Sequence, residues 1–153
     1  MKVRDLMKKE FTCLSPDNTY KEAVALVCKA GVSGLPVVGA DKKIVGYVSE
    51  KDLFRILFPY YKSYYSYPES YTNGEARETK AAEIEFHKVA DFMNKAPLTI
   101  SPDAPVMNAA ALMIANRMHQ FPVVEDGNVV GLISRETIYK EIFKKNFKDI
   151  FFN

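Results

Sequence analysis

Apolar and polar positions along this chain change period several times, and each change marks an element. Residues 3–8 read as a short helix. Thr12–Leu14 reads as a short strand before the turn signal Ser15, Pro16, Asp17 and Asn18. Thr19 and Glu22 stand three residues apart, like the hydroxyl and carboxylate of a capping box. Ala23, Leu26, Val27 and Ala30 follow at helical spacing and give one apolar face, and Gly31 suits the position just past the helix end. Leu35–Val38 and Ile44–Val48 are β-branched runs around a polar turn, which predicts a hairpin. Glu50–Phe58 predicts a second helix, stopped by Pro59.

The same order then returns. Thr99 and Ile100 form a short strand, and Pro105 opens a helix whose buried face is Ala109, Leu112 and Met113. Phe121–Val124 and Val129–Ile133 flank Asp126 and Gly127, a strong hairpin turn. Arg135–Lys145 predicts the closing helix. Each half therefore runs strand, helix, strand, strand, helix, an α/β pattern.

The two halves also repeat as sequence. Val3, Asp5 and Met7 recur as Val89, Asp91 and Met93, and Ser15, Pro16 and Asp17 as Ser101, Pro102 and Asp103. Pro36, Val37 and Val38 recur as Pro122, Val123 and Val124. After one residue is lost in a turn, Gly46 and Ser49 recur as Gly131 and Ser134. Such a repeat fixes the architecture before any motif is read. The organisation it implies is motif 1 at 1–58, a linker and helix at 59–88, motif 2 at 89–145 and a C-terminal tail at 146–153. Each motif is near the lower size limit for a self-supporting core, so a shared core and one cooperative unit are expected.

Between the repeats, residues 59–74 hold six of the nine tyrosines, and 75–90 look helical. A packed linker or subunit contact is expected there, since Lys62 alone supplies positive charge for an aromatic base-stacking platform. In the tail, Phe143, Phe147, Ile150, Phe151 and Phe152 alternate with lysines and predict an amphipathic helix or its frayed end.

Composition narrows the function classes. A net charge of +2 with acids and bases interspersed argues against nucleic-acid binding. No apolar run nears membrane-spanning length and no signal core precedes the first repeat, so a cytoplasmic protein is expected. Cys13 and Cys28 are expected to be buried, reduced thiols. Two histidines and two cysteines at unrelated spacing make no zinc pattern, and no nucleophile or phosphate-loop motif appears. Neither a metal, a catalytic cofactor nor an enzymatic activity is expected.

The string of a helix, Thr-h-Ser-Pro-Asp, a helix, h-Pro-Val-Val, a turn and h-h-Gly-h-h-Ser-x-x-Asp resembles the cystathionine-β-synthase (CBS) domain. Two in tandem resemble a Bateman module, the nucleotide-sensing pair of which the γ subunit of AMP-activated protein kinase is a relative in type. The resemblance implies two motifs related by a pseudo-twofold axis, two clefts between them, adenosine-type ligands and a homodimer. Phe54, Leu57, Ile142 and Phe143 lie on the helices that would meet a twin.

At Ser49 a strand ends and a helix begins, and a helix N-terminus offers N–H groups to phosphate. Asp52 is a natural double acceptor for a ribose diol, and Lys51 could lend charge to a phosphate. Ser49 and Asp52 equally satisfy a capping arrangement that needs no ligand. The resemblance implies a main cleft in which Ser49, Lys51 and Asp52 face Leu98, His119 and Gln120, with glutamine where the family often has arginine. It implies a weaker second cleft of Thr12, Ser33, Gly34, Ser134 and Thr137, with Thr137 where the ribose aspartate should be. The function expected is a regulatory module that binds AMP, ADP or ATP, with S-adenosylmethionine less favoured, and acts through its dimer or a protein partner. The alternative is a structural or dimerisation module without a ligand.

Overall fold

The computed structural model describes residues 1–58 and 74–151. The tyrosine cluster of 59–73 and Phe152 lie outside them. The elements are α1 (Val3–Leu6), α2 (Tyr20–Ala30), β1 (Gly34–Val38), β2 (Ile44–Ser49), α3 (Glu50–Arg55), α4 (Gly74–Glu83), α5 (Val89–Phe92), α6 (Val106–Asn116), β3 (Gln120–Glu125), β4 (Asn128–Ser134), α7 (Arg135–Asn146) and α8 (Lys148–Phe151). β1 pairs with β2, and β3 with β4.

The chain folds as two compact units, and they do not coincide with the two sequence repeats. One contains Thr12–Asp41 and Val45–Pro97; the other contains Met1–Phe11, Lys42–Ile44 and Leu98–Asn153. Each repeat's leading helix belongs to the unit built on the other repeat's hairpin. In the second unit the Val3 N–H donates to the Ala104 carbonyl and the Arg4 N–H to Pro102, both at 2.9 Å. In the first, the equivalent Val89 N–H donates to Asn18 at 2.8 Å and the Ala90 N–H to Pro16 at 3.0 Å. Val3 and Val89 are both fully buried, a burial that stabilises by roughly 1.5–3 kcal/mol for a side chain of this kind.

The glycine repeated in each hairpin has a physical reason in this exchange. A Cβ at Gly46 would lie 2.5 Å from the Met93 sulfur and 3.0 Å from the Asn94 carbonyl. A Cβ at Gly131 would lie 2.8 Å from the Met7 sulfur and 3.1 Å from the Lys8 carbonyl. Each leading-segment methionine thus lies on a strand position that only hydrogen leaves open.

Among the described residues, each unit has its own cluster of buried side chains. Leu14, Ala23, Val27, Leu35, Val37, Val48 and Val89 belong to one. Val3, Ile100, Ala109, Met113, Phe121, Val123 and Ile133 belong to the other.

Helix α2 is capped by the Thr19 hydroxyl, which accepts from the Glu22 N–H at 3.1 Å. The Glu22 carboxylate turns to Asn18 rather than back to the cap. Gly31 ends the helix at φ +63°, and Arg117 takes the same left-handed role after α6 at φ +53°. The β3–β4 turn has Asp126 at φ +51° and Gly127 at φ +81°, the conformation that favours this dipeptide.

Several sequence expectations are corrected. The strands at 12–14 and 99–100 each shrink to one bridging residue, Leu14 beside Val37 and Ile100 beside Val123, both parallel. The helix at 50–58 ends at Arg55 and continues as tighter turns, with Leu57 and Phe58 N–H groups donating three residues back. The helical stretch at 75–90 breaks after Glu83. Leu112 is 38% exposed, although Ala109 and Met113 are fully buried; it sits one step too far around the helix to reach the core. Both thiols are unpaired, but Cys28 is exposed on α2 and Cys13 is half-buried. Burial pushes the Cys13 thiol up from its ordinary value. In the tail, Tyr139, Phe143 and Phe147 pack ring on ring along one face, and Ile150 and Phe151 on α8 are exposed.

Candidate functional site

The corner between β2 and α3 holds a buried carboxylate. Asp52 is 7% exposed. Its Oδ2 accepts from the Ser49 N–H at 2.8 Å and the Ser49 hydroxyl at 2.9 Å. The Asp52 N–H donates back to the Ser49 hydroxyl at 3.2 Å, completing a reciprocal capping box. Its Oδ1 accepts from the Arg55 guanidinium at 2.5 Å. A buried carboxylate is sustainable because donors surround it. The Glu50 N–H is also engaged, donating to the Ser33 carbonyl at 2.9 Å. The N–H groups expected to await a phosphate here are therefore largely occupied by the fold itself. Lys51 is exposed beside this corner.

Ser33 is half-buried and Gly34 buried in the same unit. A Cβ on Gly34 would lie 2.6 Å from the Val48 carbonyl and 2.7 Å from the Tyr47 ring, so the backbone approach excludes larger residues. Thr12 is exposed. An apolar groove of about 910 Å³ runs along α2, α3 and α4, lined by Val24, Val27, Leu53, Phe54, Leu57 and Ala81, with Ser33 and Glu50 also on its wall. Ser49, Lys51 and Asp52 do not line it. The Tyr20 hydroxyl donates to the Leu53 carbonyl at 2.8 Å and ties α2 to α3 in the groove wall.

In the second unit the equivalent corner lies between β4 and α7. The Thr137 N–H donates to the Ser134 hydroxyl at 3.1 Å, and the two hydroxyls are 2.9 Å apart. Thr137 is exposed where Asp52 is buried. The Arg135 N–H donates to the His119 carbonyl at 2.8 Å, the counterpart of Glu50 and Ser33. The Arg135 guanidinium also lies 2.9 Å from His119 Nδ1. A guanidinium only donates, so Nδ1 is the acceptor in this contact. His119 is exposed, Leu98 is 40% exposed, and Gln120 is 6% exposed opposite Ser134 in the β3–β4 ladder.

Within each unit the structure therefore gathers Ser49 with Asp52 and, through Glu50, with Ser33 and Gly34; it gathers His119 and Gln120 with Ser134 and Thr137. Two residues at these corners were missed by sequence reasoning, Arg55 and Arg135. Arg55 had a signal: it lies three residues after Asp52, one helical turn on. Arg135 had none, because its partner His119 is brought to it by strand pairing.

Of the helix residues expected to meet a twin, Phe54 and Phe143 are 67% and 43% exposed. Leu57 and Ile142 are partly buried against their own cores. Among the described residues no three of His, Cys, Asp and Glu converge as metal ligands, and no helix is long and apolar enough to cross a membrane.

The CBS domain family profile matches residues 3–59 and 89–144. The chain belongs to the CBS domain family. It is 30% identical over 147 residues to the uncharacterized protein MJ1426 of Methanocaldococcus jannaschii, spanning 88% of this chain and 87% of that one. It is also 30% identical over 142 residues to an A-adding tRNA nucleotidyltransferase of Aquifex aeolicus, spanning 93% of this chain but 14% of the enzyme. Among solved structures it resembles CBSX2 of Arabidopsis thaliana in complex with AMP, with TM-score 0.71 and 24% identity over 95% of this chain and 98% of that one. It resembles equally the CBS domain pair of protein MJ0100 in complex with 5-methylthioadenosine and S-adenosyl-L-methionine, with TM-score 0.70 and 22% identity over 95% and 98%. The fold is that of a CBS pair, two CBS motifs in one α/β chain.

Proposed function

We propose that this CBS pair is a regulatory module that binds an adenosine-type ligand, AMP, ADP or ATP in preference to S-adenosylmethionine. The ligand contacts assigned are Ser49, Lys51, Asp52, Leu98, His119 and Gln120. Thr12, Ser33, Gly34, Ser134 and Thr137 are assigned to a weaker second site. The observation that carries the reading is Asp52, a carboxylate 7% exposed at the strand-to-helix corner of one repeat, with Thr137 in its place in the other. A buried charge is expensive to maintain for capping alone, since at the equivalent corner the Ser134 hydroxyl caps α7 with no carboxylate beside it. Support also comes from the adenosine moiety shared by the ligands of the CBSX2 and MJ0100 structures. The match of the CBS domain to both repeats, residues 3–59 and 89–144, supports a regulatory rather than a catalytic role.

A ligand regulates only by binding two states unequally. The proposed second state is a change within a homodimer or at a protein partner, in the cytoplasm. The exposed Phe54 at the edge of the α2–α3–α4 groove supports contact with a second copy. The test is calorimetric titration of the full chain with AMP, ADP, ATP and S-adenosylmethionine, with light scattering on the same samples. Asp52→Ala is expected to weaken nucleotide binding by about one to two powers of ten, as losing a charge-assisted hydrogen bond implies, and Thr137→Ala little. The completed capping box favours a second reading, a structural module. Unchanged binding with lower thermal stability in Asp52→Ala would establish that one.

A further inference from the structure

Arg55 lies on the same carboxylate. We infer that Arg55 is an internal competitor for Asp52, and that its release sets the affinity for the ligand, a role that rests on the reading of Asp52 as the ribose acceptor. A carboxylate offers about four lone-pair sites. Oδ2 already accepts two donors from Ser49, and Oδ1 accepts the Arg55 guanidinium. One site is left for a ribose diol, which presents two O–H donors together.

The partners of Asp52 differ in how readily they leave. One Ser49 donor is a backbone N–H fixed at the helix cap. The other is a hydroxyl whose oxygen is held in turn by the Asp52 N–H. Arg55 is a long side chain one turn along α3, with a third of its side-chain surface in solvent. It is the one of the three that the helix cap does not hold in place, and a diol that takes Oδ1 displaces it from that acceptor.

The second repeat is an internal control. Lys140 stands where Arg55 stands, and it pairs with Glu136 four residues before it, at 2.5 Å, with both groups exposed. In the first repeat Lys51 replaces Glu136. The i,i+4 anion is gone, and the cation at 55 turns to Asp52 at i,i+3 instead. The three exchanges, Lys51 for Glu136, Asp52 for Thr137 and Arg55 for Lys140, belong to one device. They bury an acceptor and hold it covered until a better donor pair arrives.

The test is calorimetry on the full chain with adenosine, a probe without phosphate. Arg55→Met is expected to tighten adenosine binding about 3- to 10-fold, the range for a partly exposed ion pair no longer broken on binding. Arg55→Gln, which keeps part of the stem and a neutral donor but is too short to lie on the carboxylate in the same way, is expected to move in the same direction and serves if Arg55→Met fails to fold. Asp52→Asn is expected to weaken binding, and adding Arg55→Met to it to change nothing further, because the two act through one contact. Unchanged or weaker adenosine binding in folded Arg55→Met and Arg55→Gln, with Asp52→Asn still weakened, overturns the competitor role alone. Wild-type binding retained in Asp52→Asn, or no adenosine binding by any of these proteins, overturns the ligand reading and the inference together.

Discussion

Val3→Ala tests the exchange of leading helices most directly, because sequence and structure place its damage in different parts of the chain. Val3 is fully buried in the cluster with Ile100, Ala109, Met113 and Phe121. Removing two methyl groups loses roughly 1.6 kcal/mol of transfer free energy. A residual cavity of about 50 Å³ adds on the order of 1 kcal/mol. The expected destabilisation is about 2–3 kcal/mol, or roughly a 30- to 150-fold fall in amide protection where exchange follows opening of that unit. Hydrogen exchange read by mass spectrometry is the assay. Protection should fall in α6, β3 and β4, some hundred residues from the substitution, while α2 and β1 keep theirs. Val89→Ala should do the reverse, through its bonded neighbours Asn18 and Pro16. Loss confined to residues 20–38 in Val3→Ala, or equal loss in both regions, would refute the assignment of α1 to the second unit.

Gly46→Ala should destabilise by about 1–3 kcal/mol, the usual range for overpacking, and adding Met93→Ala should recover part of the loss; thermal melts of the single and double variants check this, and a fully additive pair would count against the contact. Cys28 should react with a maleimide or disulfide reagent faster than Cys13 at pH 7–8, since Cys28 is exposed and burial raises the Cys13 thiol so that less of it is thiolate; peptide mapping of the labelled sites decides it, and faster labelling at Cys13 would contradict the placement.

Local order was legible in the sequence wherever one short stretch decides it. Thr19, Gly31, Pro105 and the Asp126–Gly127 turn fix helix ends and a hairpin through backbone groups a few residues away, and all four act as their chemistry dictates. The repeat itself announced two equivalent motifs, and the family pattern located the corners at Ser49 and Ser134. Several features needed contacts between residues far apart in sequence. Nothing near Val3 says that its N–H will bond to Ala104, or that its side chain completes the core around Phe121. The same is true of Gly46, whose missing side chain makes room for Met93. At the corner itself, the residue types Ser49 and Asp52 by themselves favoured capping and the family pattern favoured ligand binding, because both need an oxygen at the helix start. Tertiary packing settled how that oxygen is held: it buried Asp52, saturated Oδ2 with Ser49 and laid Arg55 on Oδ1. A sequence specifies which groups can donate and accept; burial and distance, which arise only once the chain has folded, decide which of them are already spoken for.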